Sequence, residues 1–154
     1  MEHTMPAYAE WVDDNRAIIH MHLHDPWTAA EYLVVSDHVR DMMLAAGYPV
    51  HLILNLTHTW HIPKDVLSIL PILNKNMLPQ QGICVGVRYL PYARALVRFI
   101  GRVFPRMTQN LFYAYTLNEA YEIITDYERD YPAVPAARRA ALERDFSHVR
   151  VDSA

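Results

Sequence analysis

The stretch Val50-His51-Leu52-Ile53-Leu54-Asn55-Leu56-Thr57-His58-Thr59-Trp60-His61-Ile62-Pro63 decides the fold. Its first half, Val50 to Leu56, is an apolar run of strand length broken only by His51 and Asn55, as in a strand covered on both faces. Pro63 suits the first turn of a helix, where its missing N–H leaves no bond unmade. Beyond it Val66, Leu67, Ile69, Leu70 and Leu73 recur at helical spacing on one face, and Pro71 predicts a kink or an early end. A strand that passes through a short polar turn into a helix is the repeating unit of an α/β sheet. Ligands and modifications gather beyond the carboxyl ends of such strands, where helix N-termini point, and Thr57-His58-Thr59-Trp60-His61 lies there.

Upstream, Tyr8 to Val12 and Ala17 to Leu23 read as a β-hairpin across Asp13-Asp14-Asn15, whose side chains satisfy turn backbone groups. Thr28, followed three residues later by Glu31, forms a capping pattern that opens a helix to about Ala46. Gly47 can end that helix in a left-handed conformation, and Pro49 forbids its continuation. Downstream, Gly82 to Val87 is an apolar run with two glycines, read as a central strand, and Leu90 to Phe104 follows as a helix. Leu111 to Tyr115 makes a short aromatic strand, and Thr116 with Glu119 repeats the capping pattern before a helix to about Tyr131. Pro132 and Pro135 end that helix, leaving the alanine- and arginine-rich Ala136 to Asp145 as a peripheral helix or tail.

This order predicts an α/β fold with a mostly parallel sheet of about five strands, an N-terminal hairpin followed by alternating strand and helix units. Of 154 residues 52% are apolar and 20% charged, which fits a single folded domain over 1–154, with a core over 7–131 and peripheral residues at 132–154. A net charge of −3 supplies no field to recruit nucleic acid. The lone cysteine, Cys84, rules out an intrachain disulfide, so a cytoplasmic location is the default expectation. The first ten residues lack a basic region followed by an apolar core, and no segment has the apolar length to cross a bilayer.

The layout, with Asn55-Leu56 closing the third strand and a helix entered near Pro63, resembles the STAS domains typified by bacterial anti-sigma-factor antagonists. The likeness runs over residues 7–131. It takes in Trp27-Thr28 at the first helix, Gly82-Ile83-Cys84-Val85-Gly86-Val87 as the fourth strand and Thr116-Leu117-Asn118-Glu119-Ala120 before the last helix. The resemblance implies a regulatory domain that binds a protein partner. In the antagonists a serine in an Asp-Ser-Ser-Gly-like stretch at the start of the second helix is phosphorylated by a partner kinase. Here Pro63-Lys64-Asp65-Val66 stands across that stretch, Lys64 lies near the phosphoacceptor position, and Thr57, Thr59 and Ser68 fall off it, so a switch of that type is not expected. Lipid-carrying domains share the related fold class, and this implies a small apolar ligand as an alternative use.

Three constellations remain. His20, His22 and His24 alternate with Met21 and Leu23 and share one face of a strand, but neighbours on that face stand about 7 Å apart, too far for all three to meet one ion. Two of them with a third ligand such as Asp25 or His51 make the metal alternative; a solvent-facing polar strip opposite Ile19, Met21 and Leu23 is the simpler account. In the turn, Asn55, Thr57, His58, Thr59, Trp60, His61 and Lys64 are candidates for contact with a ligand or partner, with free backbone N–H groups suited to an anion or an acidic side chain. The plainer alternative has the threonines capping the loop and Trp60 packing onto the helix. No nucleophile elbow and no carboxylate placed to orient a histidine accompany them, so no catalytic residue is assigned.

Arg94, Arg98 and Arg102 form a basic stripe beside the apolar face of their helix, suited to an acidic partner or to peripheral contact with an anionic membrane surface. Tyr89, Tyr92, Phe112, Tyr113 and Tyr115 are expected to serve mainly as core. The function expected from the chain is therefore a non-enzymatic regulatory or protein-interaction domain with no cofactor, compatible with a homodimer. A small apolar or acyl ligand held between sheet and helices near Trp60 and Tyr89 is the second reading.

Overall fold

The computed structural model describes residues 5–78, 81–88 and 93–152, with side chains through residue 144 of the last range. Five strands lie side by side in chain order: β1 (Ala7–Trp11), β2 (Ile18–His24), β3 (Val50–His58), β4 (Gln81–Val87) and β5 (Leu111–Ala114). The first pair is antiparallel, with Tyr8 opposite His22 and Glu10 opposite His20, and the other three pairings are parallel. The sheet is therefore mixed, which corrects the expected mostly parallel one. The tight turn closed by Arg16 N–H on the Asp13 carbonyl reverses the chain, so β1 can add only antiparallel.

The helices are α1 (Ala29–Ala46), α2 (Val66–Lys75), α3 (Ala93–Val103), α4 (Pro105–Thr108), α5 (Leu117–Asp130) and α6 (Ala133–Asp152). Thr28 caps α1 with the reciprocal Glu31 bond, and Gly47 ends it at φ 73, a conformation that glycine adopts without a Cβ penalty. At α5 the Thr116 hydroxyl accepts from Glu119 N–H as expected, but the Glu119 carboxylate reaches one residue further, to Tyr115 N–H. Pro71 neither ends nor interrupts α2, which runs on to Lys75. Pro135 likewise sits in the opening turn of α6, where a missing N–H breaks no bond. Tyr89, Leu90 and Tyr92 lie outside the described residues.

Alternation within the strands sorts the core into two layers. Ile19, Met21, Leu23, Val50 and Leu52 pack under Val35, Val39 and Met43 of α1, with Val66 of α2 against the same cluster. Ile18, Ile53, Ile83, Val85, Val87 and Ala114 face the other way, onto Ala120 and Ile124 of α5. Burying such residues stabilises by about 1.5–3 kcal/mol for each large side chain, so this alternation is what holds the strand register.

One polar group crosses the second layer. His51 is fully buried, and its Nδ1 accepts from Ile83 N–H at 3.1 Å, so its proton resides on Nε2, which donates to Glu128 at 3.1 Å. Glu128 in turn holds Arg138 of α6 through both oxygens, at 2.6 and 3.1 Å. Burial pushes the His51 pKa below its ordinary value, which matches a neutral ring. Gly82 lies flat against the same ring, and a Cβ there would collide with His51 Nδ1.

Candidate functional site

The end of the sheet beyond β2, β3 and β4 is built by three segments that hold one another. β3 runs two residues further than the sequence indicated, to His58, and the loop proper begins at Thr59. Thr59 is wholly buried; its hydroxyl accepts from Trp27 Nε1–H at 3.2 Å and donates to the Leu23 carbonyl at 3.0 Å. Asn55 is buried as well, its Oδ1 taken by the N–H and hydroxyl of Thr57 at 3.0 and 2.6 Å. The structure thus removes Asn55 and Thr59 from the surface a partner would touch. The Asn55 carbonyl oxygen and the Thr59 hydroxyl are taken up in shaping the loop, because buried polar groups must find partners.

The amides read as a free anion site are also taken. Asp25, at the end of β2, places Oδ2 2.6 Å from Trp60 N–H and 3.2 Å from His61 N–H, with His61 Nδ1 at 3.9 Å. The protein supplies its own carboxylate where a ligand anion was expected. From the β4 side, Arg88 Nη1 donates to the Thr57 carbonyl at 2.6 Å, and its guanidinium lies 3.9 Å from the centroid of the Trp60 ring. Arg88 adopts φ 72, a left-handed backbone that is disfavoured for a residue with a side chain, and it is held there by these contacts and by its own N–H on the Ala114 carbonyl. Trp60 follows on the exposed side of this loop. It stands 60% exposed, braced beneath by Arg88, beside exposed His58, His61 and Lys64.

The histidine strip is not the solvent-facing edge expected of it. Because β1 pairs outside β2, His20 is only 7% exposed, and His22 and His24 are half-buried. The rings stack: His20 on His22 at 3.8 Å, His22 on Tyr8 at 4.4 Å and His24 on His58 at 4.7 Å. His22 Nε2 lies 3.0 Å from Glu10, whereas His20 Nε2 is buried without a partner. Burial, then His22, pushes the His20 pKa down to about 4, and burial with His58 and His22 lowers that of His24. Among the described residues no three His, Cys, Asp or Glu groups are arranged to hold a metal ion.

Behind the loop, between the sheet and helices α2 and α3, lies a cavity of about 220 Å³. Leu56 of β3, with Trp27 and Ile62 from the flanking loops, lines one wall, Leu54 and Gly86 the floor, and Leu96 and Ile100 of α3 another side. The sequence reading put a small apolar ligand between sheet and helices near Trp60 and Tyr89; the described lining reaches Leu56 and Ile62 on either side of that loop but does not include Trp60, and Tyr89 lies outside the described residues. Arg94 and Arg98 line an adjoining pocket with Tyr113 and Tyr115, while exposed Arg102 lines neither cavity. Phe112, Tyr113 and Tyr115 are exposed, against the expectation of core packing, because β5 is a four-residue edge strand whose buried residue is Ala114. No helix among the described residues is long and apolar enough to cross a membrane.

No protein-family model matches this chain. No curated protein matches it either. Among solved structures it is similar to the NMR structure of the protein TM1081, at 16% identity and a TM-score of 0.52, over 79% of this chain and 89% of that one. At that identity the likeness shows a shared α/β fold.

Proposed function

We propose that this chain is a non-enzymatic regulatory domain of STAS-like type that lacks the family's phosphorylated serine and engages a protein partner at the carboxyl end of its sheet. One observation carries the reading: Trp60 is 60% exposed while its backbone is clamped by Asp25 and its ring is braced by Arg88. An exposed tryptophan over an arginine, already held in place, has the make-up of an interface hot spot and loses little freedom on binding. His61 and Lys64 beside it favour a partner carrying acidic groups. Ser68, the hydroxyl nearest the start of α2, is turned back onto the Asp65 carbonyl at 2.5 Å, consistent with a partner surface that needs no phosphate.

The test is affinity capture from the native cell with the wild type, Trp60→Ala and Arg88→Ala, each checked for folding by circular dichroism. A protein retained by the wild type and lost by both variants is the expected result. Equal retention by all three, or turnover of a substrate by the purified protein, removes this reading. A second reading, a small apolar ligand, is favoured by the cavity between the sheet and helices α2 and α3. Added mass in native mass spectrometry of gently purified protein would support it, and a clean apo mass across preparations opposes it.

A further inference from the structure

Gly86 sits in the middle of β4, paired with Leu54 on one side and Tyr113 on the other. Its backbone is not left-handed, and a Cβ added there would meet nothing closer than Tyr113 at 3.7 Å, an ordinary contact. Neither a turn nor crowding requires glycine at this position. A strand glycine is otherwise a loss, since it adds backbone entropy to the unfolded chain and packs nothing. What it does here is leave the floor of the 220 Å³ cavity open. The cavity is a partly open cleft, and an apolar volume of about 150 Å³ already accepts benzene, so there is room for a small apolar group.

The cavity does not stand alone. Val97 and Tyr113 line both it and the adjoining pocket of about 300 Å³, whose lining among the described residues includes Arg94 and Arg98 and no acidic side chain. An apolar chamber thus opens beside two guanidinium groups spaced one helical turn apart on α3. Arginine presents fixed donors to a carboxylate, and each methylene group that leaves water favours the chamber.

We propose that the two pockets form one site for an amphipathic carboxylate, with a single short acyl chain over Gly86 and its head group at Arg98 and Arg94. This rests on the second reading above and adds to it the charge and the single chain. The volume suits one chain and not the paired long chains of a membrane phospholipid.

Decanoate and decanol, titrated separately into the purified protein by calorimetry, test it. Decanoate is expected to bind with one-to-one stoichiometry and decanol at least tenfold more weakly. Gly86→Leu, which fills the chamber, is expected to abolish both, and Arg94→Glu with Arg98→Glu to weaken decanoate at least tenfold while leaving decanol unchanged. Leu96→Trp fills the chamber from α3 and replaces Gly86→Leu if that variant does not fold. Equal affinities for decanoate and decanol, both lost in Gly86→Leu, overturn the carboxylate assignment and leave the apolar-ligand reading standing. No binding of either overturns both. Decanoate binding that survives both chamber-filling variants places the ligand elsewhere and overturns the site.

Discussion

Acidification should destabilise this protein through His20 as pH falls from 6.5 toward 4. The ring is buried, its Nε2 has no partner, and its folded pKa is about 4 against the usual 6.5 for histidine. The unfolded chain therefore takes up the proton first as pH falls. The stability associated with the neutral ring is fully present above pH 6.5, declines below it and is gone once pH passes about 4. At about 1.4 kcal/mol per pKa unit, the drop from 6.5 to 4 corresponds to roughly 3.5 kcal/mol as an upper figure. Two groups face the ring: His22, whose charge adds to the penalty, and Glu10, whose charge reduces it. His24 and His51 are also lowered and act in the same direction, so a comparison with a variant isolates the contribution of His20. His20→Phe keeps an aromatic ring stacked on His22 and takes no proton. Urea unfolding of both proteins at steps from pH 8 to pH 4 should show the wild type losing more stability than the variant, by as much as about 3.5 kcal/mol. Parallel curves, with the same loss in both proteins, would refute the reasoning.

Three further outcomes follow from the geometry. Asp25→Ala removes a charged acceptor from two amides and should lower stability by about 2 kcal/mol, with faster hydrogen exchange at Trp60 and His61 by NMR. Thr59→Val keeps the shape but leaves Trp27 Nε1–H buried and unpaired, at about 1–3 kcal/mol, readable by denaturant unfolding and by a changed near-ultraviolet dichroism of tryptophan. Gly82→Ala drives a methyl into the His51 ring and should destabilise by at least about 2 kcal/mol, whereas Gly86→Ala in the same strand, where a Cβ meets only ordinary contact, should be neutral or stabilising; thermal melts of the pair separate them.

What the chain determines by itself is local. Thr28 with Glu31, Gly47 and Pro49 define α1 because a cap and a left-handed stop need only residues a few positions apart. The alternation of Ile19, Met21 and Leu23 with the histidines assigns faces for the same reason, since side chains in a strand alternate regardless of what lies beyond. The element order, down to the hairpin and the strands that follow it, is legible from such signals. Everything about the site that depends on residues far apart in sequence was decided by the tertiary structure. Asp25 occupies amides 35 and 36 residues away, Trp27 claims Thr59, and Arg88 braces Trp60, so the loop that reads as an open anion site is closed by the protein itself. The position of β1 outside β2 buried His20 and half-buried His22 and His24, a strip that alternation alone would leave in water. Helix packing left the chamber over Gly86 open, and no periodicity reports an empty volume, because a cavity is a property of the surfaces that fail to meet.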